Sequence, residues 1–181
     1  MEQTQNYLDK LCQALQNLPQ DEIARTIDVL ERARGGGRRV FLFGNGGSAA
    51  TASHIAVDLI KGTAQPEKPR LKVITLNDGI PTLTAYANDY GYETVFAGPL
   101  EALAEPGDVA IGISGSGNSP NVLRAMDVAR ERRLTTIGLT GYEGGRLKDK
   151  VDVCIIVPSH SMQRIEDAHL VILHIVFLAL C

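Results

Sequence analysis

Two pairs of side chains have the types and spacing to do chemistry. In SHIAVDLIK, His54 and Asp58 stand four residues apart, so on a helix they project from one face about one turn apart. In RIEDAHLVILH, Glu166, His169 and His174 lie in an otherwise apolar run. Glu166 and His174 are eight apart, roughly 80° around a helix of 3.6 residues per turn, so they can address one cavity. His169, five residues before His174, points elsewhere. An imidazole beside a carboxylate either holds a divalent metal or moves a proton. A single histidine on an apolar helix is ordinarily a satisfied core residue, and Asp58 alone would be an ordinary solvated side chain. Two helices that each pair histidine with carboxylate favour a shared metal or acid–base site. His160, which follows Pro158-Ser159, reads as a loop residue without a role.

The ligand for such a site is suggested by two turns. Gly44-Asn45-Gly46-Gly47-Ser48 follows the apolar run VFLF, and Ser114-Gly115-Ser116-Gly117-Asn118-Ser119-Pro120 follows DVAIGI. Glycines let a backbone approach an anion, and the N-terminus of a following helix points free N–H groups at it. Pro120 suits the first position of such a helix. Neither turn is GxxxxGK[ST], and no lysine stands where a nucleoside triphosphate would need one. The dinucleotide pattern is met only in its alanine variant, through Ala49, and no acidic residue ends the next strand at the right distance. Either turn alone could be a capped connection. Two in one sheet, one of them carrying the hydroxyls of Ser114, Ser116 and Ser119, favour a phosphate monoester.

These residues need a scaffold, and the hydrophobic pattern supplies one. Apolar runs at Val40–Phe43, Leu71–Thr75, Val109–Ile113, Thr136–Leu139 and Val153–Val157 predict strands. Between them, Ser48–Lys61, Ile80–Asn88, Val95–Leu103 and Pro120–Arg132 predict helices, and a last helix runs from Met162 to the end. Alternation of this kind implies an α/β fold: a doubly wound five-stranded parallel sheet flanked by helices, with ligands beyond the strand C-termini. Residues 1–34 predict two amphipathic helices, broken at Pro19 and ended by Gly35-Gly36-Gly37. With no linker and no change of composition, residues 1–181 read as one domain with an N-terminal helical extension.

Composition excludes other classes. A net charge of -3 and few aromatic residues argue against a nucleic-acid surface. The run Arg32, Arg34, Arg38, Arg39 reads as a solvated helix end. Cys12, Cys154 and Cys181, odd in number and far apart, read as small core residues. No secretory pattern opens the chain, and Leu170–Cys181 is too short to span a bilayer and is interrupted by His174. A cytoplasmic protein without membrane or nucleic-acid partners is the expectation.

Taken together, GNGGSAATASHIAVDL, the ANDYG segment, GISGSGNSPNV and RIEDAHLVILH resemble the sugar isomerase (SIS) domain and, within it, the phosphoheptose isomerases. The resemblance covers nearly the whole chain, including LTGYEGG. It implies aldose–ketose isomerisation of sedoheptulose 7-phosphate in a homotetramer whose sites are shared between subunits. It also implies substrate contacts from Asn45, Gly46, Gly47, Ser48, Asn88 and Asp89, and phosphate contacts from Ser114, Gly115, Ser116 and Ser119. A metal, usually zinc, would be held by His54, Asp58, Glu166 and His174, with Glu166 or Asp58 as base and His174 as acid. Three positions depart from the pattern: Asp58 replaces a glutamate, Glu166 a glutamine, and Gly115 a threonine. The first shortens a reach, the second makes the metal site more anionic, and the third removes a phosphate donor. The alternatives within the same fold are a non-catalytic sugar-phosphate sensor, a replication-initiator-binding adaptor, or an isomerase of another phosphosugar.

Overall fold

The computed structural model describes residues 2–181. Its five strands, β1 (Arg39–Gly44), β2 (Lys72–Thr75), β3 (Val109–Ile113), β4 (Thr135–Thr140) and β5 (Val153–Ile156), form one sheet. The order is β2-β1-β3-β4-β5, and every neighbouring pair is parallel. Helices α1 (Glu2–Gln16), α2 (Gln20–Gly35), α3 (Gly47–Val57), α4 (Ile80–Tyr90), α5 (Ala97–Leu103), α6 (Pro120–Glu131) and α7 (Met162–Leu180) surround it.

Strand alternation divides the core into two layers. Val40 and Leu42 of β1 face one side with Ile111 and Ile113, where Leu30, Ile55, Ile172 and Val176 of α2, α3 and α7 cover them. Phe41 and Phe43 face the other side and meet Phe96, Leu100, Val122 and Met126 beside α5 and α6. Burying each such phenylalanine is worth about 2–3 kcal/mol, so the short strands are held mainly by what stacks on them. Because β1 sits between β2 and β3, the connections that leave β1 and β3 diverge to opposite faces. The β1–β3 register ends at Gly44 opposite Ile113, which puts both predicted anion turns side by side at this switch point.

Several expectations need correction. The helix predicted over Ser48–Lys61 ends at Val57, and Asp58–Gly62 form a π-helical turn. The wider turn passes Gly62 beneath the Phe177 ring, which would lie 2.5 Å from a Cβ there. The helix predicted over Val95–Leu103 is present as α5 but starts two residues later, after a 3-10 turn at Tyr92–Thr94. The arginine run is not a solvated end. Arg34 is 2% exposed and donates to the Leu180 carbonyl at 2.8 Å, and Arg39 pairs with Asp108 at 3.0 Å and Glu105 at 2.9 Å. The cysteines are free but not core: Cys12 and Cys181 are exposed and Cys154 is half-buried. The N-terminal helices differ from each other. Helix α2 buries Ile23, Val29, Leu30 and Ala33 in the core of the sheet, whereas α1 buries only Ala14 and lies against α7. No helix of the described residues is long and apolar enough to cross a membrane.

Candidate active site at the switch point

Helices α3 and α7 run side by side in the same direction. Gly47 meets Glu166, His54 meets His174, and Gly62 meets Phe177. This alignment joins the two chemical pairs seen in the sequence. Nε2 of His54 and of His174 lie 3.4 Å apart, and each is 3.4 or 3.5 Å from Oδ2 of Asp58. Zinc held by nitrogen and oxygen donors at about 2.1 Å in tetrahedral geometry has donors about 3.4 Å apart. The three side chains therefore occupy three corners of a metal-sized tetrahedron, and the fourth corner has no protein ligand among the described residues. These residues can hold a divalent cation, with one position left for a substrate oxygen. They are half open to solvent: the side chains are 50%, 28% and 41% exposed for His54, Asp58 and His174.

Glu166 does not join them. Its Oε1 lies 3.1 Å from where a Gly47 side chain would begin, two helical turns before His174. Gly47 opens α3, so this carboxylate rests on the positive end of the helix dipole, a favourable place for an anion. His169 is fully buried. Its Nε2 faces the Thr140 carbonyl at 3.2 Å, so that nitrogen carries the hydrogen. Burial pushes the ring down to about 4, only partly opposed by this bond, and His169 stays neutral. His160 is exposed beside Glu143 at 3.5 Å.

The serine turn is a more rigid structure. Ser114 is buried, its N–H bonds to the Leu139 carbonyl, and its hydroxyl meets that of Ser119 at 3.0 Å. Ser119 is the N-cap of α6 but makes no side-chain cap bond, so its hydroxyl remains with Ser114. The Ser116 hydroxyl accepts the Asn118 N–H at 3.2 Å, and the Gly115 carbonyl accepts the Gly141 N–H at 2.9 Å. Gly117 (φ +66°) and Gly145 (φ +56°) pack backbone to backbone where neither could carry a side chain. The residues predicted to bind phosphate thus lead into the head of α6, with the hydroxyls of Ser114 and Ser119 facing each other.

The glycine turn after β1 lies next to it. Gly44 is braced by Asn77, whose amide donates to the Gly44 carbonyl at 2.7 Å and accepts its N–H at 3.3 Å, extending the β1–β2 ladder through a side chain. Gly46 (φ +53°) turns the chain into α3, and Ser48 is buried. Asn45 joins a group that the sequence did not announce: it exchanges two hydrogen bonds with Asn121, at 2.9 and 2.8 Å, and accepts the Tyr92 hydroxyl at 3.1 Å. Asn88 and Asp89 make no hydrogen bond to this cluster. They are exposed on α4 and bonded to each other at 2.7 Å, and α4 buries no residue at all. Asn77, Tyr92 and Asn121 are neutral, with no metal-ligand or acid–base spacing. The advance signal was Asn121, just after Pro120 at a helix start and inside the GISGSGNSPNV stretch.

A family model described as the SIS domain matches residues 5–141. A phosphoheptose isomerase of Geobacter sulfurreducens is 42% identical over 167 residues, 92% of this chain and 88% of its own. The chain belongs to the phosphoheptose isomerases of the SIS-domain family. Another member, from Nitratiruptor sp., is 51% identical over 138 residues, 76% of this chain and 73% of its own. The fold agrees: the structure of a phosphoheptose isomerase from Francisella tularensis superposes with a TM-score of 0.92 at 30% identity, covering 99% of this chain and 96% of that one.

Proposed function

We propose that the protein is an aldose–ketose isomerase that converts sedoheptulose 7-phosphate to D-glycero-D-manno-heptose 7-phosphate through an enediol. The observation that carries this is the trio of donor atoms at metal spacing, built on the same switch point as a hydroxyl-lined phosphate cradle. Ser114, Gly115, Ser116 and Ser119 take the phosphate, and Asn45, Gly46, Gly47 and Ser48 line the sugar. Asn88 and Asp89 of α4 complete the substrate shell. Capture of the remote phosphate supplies binding energy that positions the reacting carbons.

His54, Asp58 and His174 hold the divalent cation, which we assign as zinc. When bound, it supplies Lewis-acid polarisation of the sugar carbonyl. A side chain that binds a cation is a poor base, so Asp58 and His174 are assigned to ligation. Glu166, outside the trio, is assigned to the proton. Its carboxylate takes a hydrogen from C1 of the ketose as a proton, and the electron pair left behind forms the C1=C2 bond as the C2 oxygen is protonated. Return of the proton to C2, with loss of the proton on the C1 oxygen, gives the aldose.

The decisive assay is conversion of sedoheptulose 7-phosphate by the purified protein, alongside a panel of five- to seven-carbon sugar phosphates. Conversion should be strongest for the seven-carbon ketose, abolished by a chelator and restored by zinc. No turnover with zinc supplied would sink the proposal, and preference for a shorter sugar would replace the substrate. We also infer a homotetramer: Val57, Ile60, Ile80, Tyr90, Ile175 and Leu178 are exposed, an apolar surface that suits burial between subunits. Light scattering should return about four times the 19.5 kDa chain mass, and a monomer mass would refute it. Three free cysteines suit the reducing cytoplasm.

A further inference from the structure

Asn121 is 2% exposed at the head of α6, between the two anion turns. Its hydrogen bonds have only one consistent sense. The Val122 N–H, which can only donate, meets Asn121 Oδ1 at 3.0 Å. The Asn45 atom facing that oxygen at 2.9 Å must then be its Nδ2. The Asn121 Nδ2 in turn donates to Asn45 Oδ1 at 2.8 Å, and the Tyr92 hydroxyl donates to the same oxygen at 3.1 Å. Both acceptor sites of Asn45 are filled. One Nδ2 hydrogen of Asn45 is left without an acceptor among the described residues, on a half-buried side chain of the glycine turn.

We propose that Asn121, with Tyr92, is a positioning residue that fixes the carboxamide of Asn45 so that it meets the bound sugar phosphate as a hydrogen-bond donor only. The inference rests on the active-site reading above and deepens it, since it specifies the ligand atom at Asn45 as an acceptor oxygen. It also gives the site a selectivity. A donor that a bound ligand covers and leaves unpaired is costly, so a sugar lacking an oxygen at that point is rejected more strongly than lost contact area would predict. Because the pair joins the turn after β1 to the head of α6, it also sets the distance between the sugar-lining and phosphate-binding turns.

Asn121→Asp keeps the shape but replaces the donor with an oxygen. Whichever way the Asn45 amide then turns, one pair of oxygens faces each other. With sedoheptulose 7-phosphate, kcat/KM should fall about 30-fold in Asn121→Asp and in Asn45→Ala, and by about 5-fold in Tyr92→Phe. If the effects act through Asn45, adding Asn121→Asp or Tyr92→Phe to Asn45→Ala should cost less than about 2-fold more. Additive losses, or unchanged kcat/KM in Asn121→Asp, would overturn the proposal. Tyr92 is exposed, so its variant serves the same cycle should Asn121→Asp not fold. Side-chain amide exchange by NMR reads the clamp without turnover. One protected Nδ2 hydrogen is expected on each of Asn45 and Asn121, with that of Asn45 lost in Asn121→Ala. Fast exchange at Asn45 in the unmodified protein would overturn the clamp itself. An inactive but clamped protein would instead count against the active-site reading.

Discussion

The two halves of the site are built differently. The serine turn is buried at Ser114, Gly115 and Gly117, braced by backbone bonds to β4 and to the turn after it, and locked by Gly117 against Gly145. The metal-sized trio stands on α3, the π-helical turn after it and α7, with half-exposed imidazoles. Nearby α4, with Asn88 and Asp89, buries nothing. Binding a phosphate requires preorganised donors that one chain can fix by itself. Chemistry on a sugar carbonyl requires exclusion of water, and this chain alone does not provide it at His54, Asp58 and His174. The difference teaches that, on the proposed reading, the phosphate half is preorganised by this chain itself, while the reacting half calls for a cover.

The largest effect should come from the exposed half. Asp58→Asn keeps size and shape but removes the negative charge between the two imidazoles. Loss of at least about 10³ in kcat/KM is expected, together with loss of tightly bound metal by elemental analysis and an unchanged Ki for inorganic phosphate. A raised phosphate Ki would break the comparison by showing that the halves are not independent.

His169 ties the halves together, from α7 to the Thr140 carbonyl at the end of β4. Its ordinary value of 6.5 falls to about 4 on burial, so in acid the unfolded chain binds a proton that the folded one does not. The stability this residue contributes is full above pH ~6.5 and drains as pH falls toward 4, by about 3 kcal/mol. Urea unfolding at pH 7 and pH 4.5 should show a loss smaller by about 2 kcal/mol in His169→Gln, whose amide can still donate to Thr140. Equal losses in both proteins would mean that other groups control the acid limb.

In the buried half, Ser114→Ala with Ser119→Ala removes both facing hydroxyls. We expect KM and the phosphate Ki to rise about 30-fold together, with kcat within about 3-fold of the parent. A fall in kcat at unchanged KM would place these serines at the reacting end instead.

What the sequence disclosed follows the range of the forces involved. Local periodicity was enough for five strands and for the shared face of His54 and Asp58. The serine turn was legible because glycines and hydroxyls cluster within seven residues. Long-range pairings were not legible. Burial of Arg34 depends on a carbonyl 146 residues away, and the Asn45–Asn121 exchange spans 76. The eight-residue spacing of Glu166 and His174 allowed one cavity. Only the parallel run of α3 and α7 shows that Glu166 faces Gly47 while His174 faces His54.

That separation admits the smallest and most discriminating test. Gly47 has no positive φ, so alanine fits its backbone, and the nearest atoms to its Cβ would be those of the Glu166 carboxylate, at 3.1 to 3.3 Å. A flexible side chain can yield by a few tenths of an ångström, so thermal stability should stay within about 1 kcal/mol, partly because alanine favours a helix. If Glu166 transfers the proton, that small displacement matters: kcat should fall about 5-fold while phosphate Ki and metal content hold. If Glu166 is instead a fourth ligand, metal affinity should change along with kcat. Gly47→Ala therefore separates base from ligand without removing either group, and decides on which side of the divided site Glu166 belongs.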